Sequence, residues 1–338
     1  MTRRRRLDRA IALSATGLLA VGLVAGCSGD DRLTVYSGRT QDLIGPLLER
    51  FSGETGIRID VRYGDSGELA QLIDTEGDNS PADVFISQSP GAVAFLDQAD
   101  RLRTLDEDLV EAVPADDRAD DGHWVGLTAR VRVLVYNTEQ VDPAELPRSV
   151  FDLTDPRYRG QVGVAPPNAS FQDFVTAMRL DAGDDETLGW LEDMAANEAR
   201  TYPNNVSIVE AVGRGEIRFG LVNHYYNDQA KAENPSVPSE NYFFPGGDLG
   251  SLLLVTAASL VETTDQTEDG ERLVEFLLSA ESQEYFAEET KEYPLAAEAT
   301  PRGSLATLAD LDVARVSFDE LGDLARTEEL IDESGIEG

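Results

Sequence analysis

Apolar positions in this chain fall into short runs that alternate between two spacings. Leu33-Thr-Val-Tyr-Ser-Gly38 predicts a strand that ends in a glycine turn. Thr40 predicts the cap of a helix reaching about Phe51, with Leu43, Ile44, Leu47 and Leu48 at helical spacing. Ile57 to Tyr63 alternates as a second strand, and Ser66 to about Asp74 follows as a helix. Ala82 to Ser87 is a third strand, after which Ser89-Pro90 opens a helix over Gly91 to Gln98. Three strand–helix alternations in so short a stretch predict a parallel sheet covered on both faces.

The middle of the chain changes character. Asp106 to Asp121 is acidic and is expected to be irregular and superficial. His123 to Asn137 then predicts a long strand pair, with Arg130 and Arg132 alternating against Val131 and Val133. A second strand–helix series fills about 140–255, including a strand at Gly160 to Ala165 and helices at Phe171 to Leu180, Glu186 to Ala196 and Ser207 to Gly213. Leu252 to Val255 leads back, helices follow at Glu271 to Leu278 and Ser282 to Glu289, and an amphipathic segment from Phe318 to Ile331 closes the chain. A chain that builds one lobe, crosses, builds a second and returns predicts two α/β lobes facing across a hinged cleft. The assignment is 33–130 plus 256–306 for lobe one and 131–255 plus 307–338 for lobe two, with hinges near 129–132 and 255–257. Hinged binding proteins and many enzymes share that plan.

The N-terminus belongs to export and not to the fold. Arg3 to Arg6 is a basic head, and Ile11 to Val24 is apolar with small residues. Val24-Ala-Gly-Cys27 then matches a lipoprotein processing site. Residues 1–26 are expected to be a signal peptide, Cys27 the lipidated residue and 27–32 a tether, which makes the chain an exported lipoprotein. Arg3 to Arg6 also suits a twin-arginine signal, so the export route stays open. Cys27 is the single cysteine, which excludes a disulfide framework and a thiolate metal site. Lys and Arg number 28 against 64 Asp and Glu, a formal net charge of −36, and removing the leader takes away five arginines and one aspartate. Such a field repels nucleic acid and anionic lipid surfaces, so neither is expected as a partner.

Candidate chemistry converges on Ile217 to Asp228, a strand followed by a helix with Asn223 as the expected N-cap. Tyr225 and Tyr226 fall on that corner, at the carboxyl end of a strand, where open α/β sheets place ligands. One reading makes one tyrosine core and the other surface. The other turns both phenols onto one small target, since neighbours in a first helical turn diverge by only about 100°. Phenolate is a hard oxygen donor suited to Fe(III), whose Lewis acidity can displace a proton with an ordinary pKa of ~10. The chain lacks a nucleophile elbow, a Walker loop, a dinucleotide fingerprint and a zincin motif. It has two histidines: His123, expected in a turn or on the surface, and His224, expected to orient the tyrosine corner.

The motifs Val35-Tyr-Ser-Gly38, Glu54-Thr-Gly-Ile57, Gly64 to Leu69, Ser80-Pro-Ala-Asp-Val-Phe85, Arg130-Val-Arg-Val, Tyr136-Asn137, Asn168-Ala-Ser-Phe171, Asn223-His-Tyr-Tyr226 and Glu292-Tyr-Pro-Leu295 together resemble one family. It is that of the ferric-ion-binding substrate-binding proteins of bacterial ABC importers, and the resemblance covers residues 33–338. It implies the type II periplasmic-binding-protein fold, no enzymatic activity, a monomer, and delivery of Fe(III) to an importer permease in the cytoplasmic membrane. Tyr225 and Tyr226 take the place of the family's iron ligands. A synergistic carbonate or phosphate is implied at Asn168, Ala169, Ser170, Asn205 and Asn223, with Arg39 as a further anion contact. Thr40, Gln88, Ser89 and Arg130 are implied as cleft contacts. The chain departs from the family's pattern at Thr40, where some members have histidine, and at Gln88, where they have glutamate. Phe171 stands near the place of an additional tyrosine found in others. A binding protein for a small organic anion or a ferric chelate is the alternative occupant of the same cleft, and an exported transferase is the rival from another class.

Overall fold

The computed structural model describes residues 32–296 and 308–337. The expected signal peptide, Cys27 and nearly all of the expected tether lie outside them.

The first third follows the predicted alternation. Strand β1 (Leu33–Ser37), helix α1 (Gln41–Thr55), β2 (Ile59–Tyr63), α2 (Ser66–Glu76), β3 (Val84–Ser87) and α3 (Pro90–Gln98) appear in order. β1 pairs in parallel with both β2 and β3. Local chemistry sets the helix ends. Gly56 adopts a left-handed φ of 78° and stops α1. The Asp65 carboxylate accepts from Gly67 N–H at 2.8 Å at the start of α2. The Ser89 hydroxyl accepts from Ala92 N–H at 3.1 Å, with Pro90 in the first turn of α3. Ile44, Leu47, Leu48 and Phe51 form the buried stripe of α1.

After β4 (Leu102–Arg103) the acidic stretch is less irregular and less superficial than expected. It holds a short helix, α4 (Glu107–Glu111), and buries Val113, Asp117 and Ala119. The expected strand pair over 123–137 is one continuous strand, β5 (Val125–Asn137), with all 13 residues buried. No turn residue interrupts it beyond Gly126. Its arginine–valine alternation does not mark a wet and a dry face, because protein covers both.

Beyond it lie β6 (Val162–Val164), α5 (Ala169–Ala182), α6 (Asp184–Ala196), β7 (Arg200–Thr201), α7 (Asn205–Gly213), β8 (Phe219–Asn223), α8 (His224–Glu233) and β9 (Ser239–Tyr242). The return strand β10 (Leu253–Val261) is longer than predicted, and α9 (Thr267–Leu278), α10 (Ala280–Tyr285), a π turn (Phe286–Thr290), β11 (Tyr293–Pro294) and α11 (Leu324–Ser334) follow. The strand order is β2-β1-β3-β10-β5-β8-β6-β7, with β9 and β11 also on β5 and β4 on β10. β5 therefore serves two sheets. Val125 to Val131 pair with β10, and Arg132 to Tyr136 pair with β8.

A large core spans the first sheet and continues under α5 and α6. A smaller one gathers Val133, Val135, Ile208, Val209, Val212, Ile217 and Val222. Each such fully buried side chain contributes about 1.5–3 kcal/mol. The glycine inside β8 has a packing reason, since a Cβ on Gly220 would lie 2.1 Å from Ile208 Cγ2 of α7. Among the described residues no helix is long and apolar enough to cross a membrane.

Candidate functional site

The tyrosine corner forms where β8 runs straight into α8. Asn223 has the backbone of an N-cap, with φ −83° and ψ 142°, but its side chain does not cap the helix. Its Nδ2–H donates to Ser170 Oγ at 3.1 Å, and its Oδ1 accepts from Arg132 Nη1 at 3.2 Å. The predicted cap is thus corrected: the amide ties β8 to α5 and β5. Tyr225 and Tyr226 lie side by side, ring centroids 4.2 Å apart and planes 34° from parallel. Tyr225 is buried, Tyr226 half-buried. Burial, followed by the neighbouring Tyr226 and Glu292, holds the Tyr225 phenol well above its ordinary pKa. The amide of Gln88 donates to the Tyr225 hydroxyl at 3.4 Å.

From that hydroxyl a chain of polar contacts runs inward. The Gln88 carbonyl accepts from Arg130 Nη2. The same guanidinium reaches Ser170 Oγ at 3.5 Å and Thr256 Oγ1 at 3.4 Å. Ser170 then meets Asn223, and Asn223 meets Arg132, which also donates to Leu221 O at 3.1 Å. The fold therefore brings together Tyr225, Gln88, Arg130, Ser170 and Asn223 from the sequence-derived set. Asn168 and Asn205 form a separate pair, Nδ2 of Asn205 donating to Oδ1 of Asn168 at 3.1 Å, and Asn205 Oδ1 is buried without a partner. Asn168 precedes and Ala169 opens α5, whose first turn presents its N–H groups beside Ser170.

Among the described residues, three of the expected contacts make no side-chain bond to the tyrosine pair. Thr40 is exposed and makes no side-chain cap bond. Ser89 Oγ is committed to Asp173 Oδ1 at 2.7 Å. Arg39, expected at an anion, is fully buried with both terminal nitrogens on Glu292 and one also on Thr256 Oγ1 at 3.1 Å. A carboxylate already occupies the place an anion would take on that side chain.

Sequence reasoning missed Arg132, Thr256, Glu292 and Asp173 as members of the site. Two arginines in an otherwise apolar strand were the available signal for Arg132. Among the described residues no carboxylate lies within 4.0 Å of Arg130 or Arg132, and each keeps a buried Nε–H without an acceptor. Burial and then the like charge of Arg130 lower the Arg132 pKa to about 9. The corner thus combines two phenols with two weakly compensated guanidinium groups.

Both nitrogens of His224 are taken by backbone groups, and burial lowers its pKa to about 4, so it is neutral. His123 lies away from the tyrosines, its Nδ1 2.5 Å from Asp97 Oδ1 and 3.2 Å from Asp121 Oδ2.

Comparison with known proteins gives the family. A family model described as a bacterial extracellular solute-binding protein matches residues 79–315. The Fe(3+)-binding periplasmic protein of Serratia marcescens is 28% identical over 329 residues, 96% of this chain and 97% of the relative. Iron uptake protein A1 of Synechocystis sp. is 30% identical over 334 residues, 96% of this chain and 92% of the relative. The crystal structure of iron-bound HitA from Pseudomonas aeruginosa superposes with a TM-score of 0.86 at 31% identity, covering 90% of this chain and 99% of that one. The chain belongs to the bacterial extracellular solute-binding proteins, a family that binds cargo for transport and performs no chemistry on it.

Proposed function

We propose that this protein captures Fe(III) between its two lobes and hands it to an ABC importer permease. The observation that carries the reading is the Tyr225–Tyr226 pair, two phenols side by side and tilted at a strand–helix corner near Arg130 and Arg132. Both tyrosines act as ligands, each phenol releasing its proton to solvent as its oxygen binds the metal, and the nearby guanidinium groups stabilise the phenolates formed. A carbonate or phosphate completes the shell from the first turn of α5, held by Asn168, Ala169 and Ser170 with Asn223 and Asn205, and compensates the arginines. Gln88 is a weak donor to Fe(III), which leaves most of the coordination to tyrosines and anion. The relatives' names support the cargo: the Serratia protein is named for Fe(3+) and the Synechocystis protein for iron uptake.

In this reading the lobes comprise 33–130 plus 256–306 and 131–255 plus 307–338, and closure turns about the crossover strands near 129–132 and 255–257. Residues 1–26 are removed on export, and Cys27 carries the lipid that holds the monomer at the membrane.

The test is a titration of the purified protein with ferric salt and bicarbonate. Phenolate-to-iron charge transfer is expected to produce a visible band that Tyr225→Phe with Tyr226→Phe abolishes. A colourless wild type, or a band indifferent to the double substitution, overturns the reading. The buried, weakly compensated Arg130 and Arg132 favour one second reading, capture of a small organic anion or ferric chelate. Under that reading citrate alone raises the thermal midpoint, and the double tyrosine variant retains the effect.

A further inference from the structure

Val131 stands where β5 changes partners. It faces Leu253 of β10, while the next residue, Arg132, faces Asn223 of β8. A strand that switches neighbours must find acceptors for the N–H groups at the switch, since an unpaired buried N–H is costly. Arg132 N–H finds Leu252 O at 2.8 Å. Val131 N–H instead donates to a side chain, His224 Nδ1, at 3.2 Å.

That bond fixes the tautomer. A backbone N–H can only donate, so Nδ1 accepts and the imidazole proton sits on Nε2, where it donates to Lys291 O at 2.9 Å. The ring is fully buried, stacked on Tyr293 at 4.7 Å and 24°, with Tyr225 meeting its edge at 5.9 Å and 90°. Lys291 presents its carbonyl from a left-handed conformation, φ 63°, straight after the π turn. The residue after it is Glu292, the partner of Arg39. One side chain thus touches the tyrosine helix, the switch point of β5 and the loop that carries the buried ion pair.

We propose that His224 is a positioning residue: a neutral imidazole that pins the Tyr225–Tyr226 corner to the switch point of β5 and to the 290–293 loop, and forms the joint on which the cleft closes. Because both nitrogens are committed to backbone groups, it lends no electron pair to a cargo bound at the adjacent phenols. Its effect on cargo rests on the Fe(III) reading. The joint itself does not, and is measurable without cargo.

The experiment uses the full mature chain carrying His224→Phe, which retains a ring against Tyr293 and loses both bonds, and His224→Gln, which can restore one. Circular dichroism checks that each is folded. In the cargo-free protein, hydrogen exchange at the Val131 amide is expected to quicken about tenfold in His224→Phe, the measure of one lost hydrogen bond, and less in His224→Gln. With Fe(III) and bicarbonate, both variants are expected to keep the wild-type band position while losing iron to a chelator about tenfold faster. Unchanged Val131 exchange overturns the joint. A shifted band makes His224 a ligand and overturns the positioning role, as does unchanged iron release. If wild type itself shows no band, the Fe(III) reading fails, and Val131 exchange still decides the joint.

Discussion

Arg39 and Glu292 form a fully buried ion pair across 253 residues of sequence, with Nη1 to Oε1 at 3.0 Å and Nη2 on Oε2. Two hydroxyls complete the carboxylate, Thr128 at 3.2 Å and Thr290 at 2.8 Å. The guanidinium also lies 5.3 Å from the Phe286 ring centre. Burial penalises the Glu292 charge, yet Arg39 and Thr290 outweigh it and hold the pKa below 4.5. Removing one partner leaves the other charge buried and alone. Arg39→Met and Glu292→Gln are each expected to cost about 3–5 kcal/mol in urea unfolding, while Arg39→Met with Glu292→Leu costs less than the sum of the two. Since the folded pKa is depressed, the pair's contribution is present above the unfolded value near 4.5 and is lost as pH falls below it. An additive double variant would count against the pair.

Asp173 has the opposite sign. Burial raises its pKa from 3.8 to about 7, against the pull of Ser89 and Arg130, and Oδ2 is buried without a partner. The folded state therefore holds a proton that the unfolded chain has released, and the stability due to this group declines as pH climbs from about 4 to 7. Asp173→Asn keeps an acceptor for Ser89 and Gly91 and removes the titration. The variant is expected to match wild type near pH 4 and to exceed it by about 1–4 kcal/mol at pH 8. Equal gaps at both pH values would rule this out.

Arg132 tests the role of the weakly compensated charge. Arg132→Met removes a guanidinium whose like-charged neighbour is Arg130. If an anion sits against this pair, the gain in iron affinity that bicarbonate confers should shrink about tenfold in chelator competition, while the visible band persists. An unchanged bicarbonate effect would remove Arg132 from the anion site.

At Gly91, α3 packs closely against its surroundings. A Cβ there would lie 2.8 Å from both Asp173 Oδ1 and Leu321 O. One of these is backbone and the other a buried side chain, so neither yields cheaply. Gly91→Ala is expected to destabilise by about 1–3 kcal/mol. Gly189, inside α6, has nothing within 4 Å of an added Cβ, and Gly189→Ala is expected to stabilise by about 0.5–1 kcal/mol. Matched thermal unfolding curves decide both.

The α1 to α3 segment was legible because its signals are local: apolar spacing marks each helix, Gly56 stops the first, and Ser89-Pro90 starts the third. β5 misled because burial on both faces removes the alternation that distinguishes a single strand from a hairpin. The two- to four-residue strands β4, β7, β9 and β11 have no pattern of their own and exist through their partners. At the site, Tyr225 and Tyr226 could be singled out because their corner is built from consecutive residues. Arg39 could not be placed, since its partner is Glu292, and no local rule joins the two. Asp173 carries no signal within its own helix, since its partners Ser89 and Gly91 come from the start of α3.

The position of β10 bears on how the chain assembles. Leu253–Val261 lies between β3 and β5, both made much earlier. Until residue 261 has been synthesised, β3 and the first half of β5 lack the strand that joins them, and each presents an open edge. The middle of the sheet is supplied late, by a segment far along the chain from either neighbour, so closure is long-range and slow by topology. Nascent chains truncated before Leu253 should accordingly be the aggregation-prone ones, with two unpaired apolar edges waiting for the same strand.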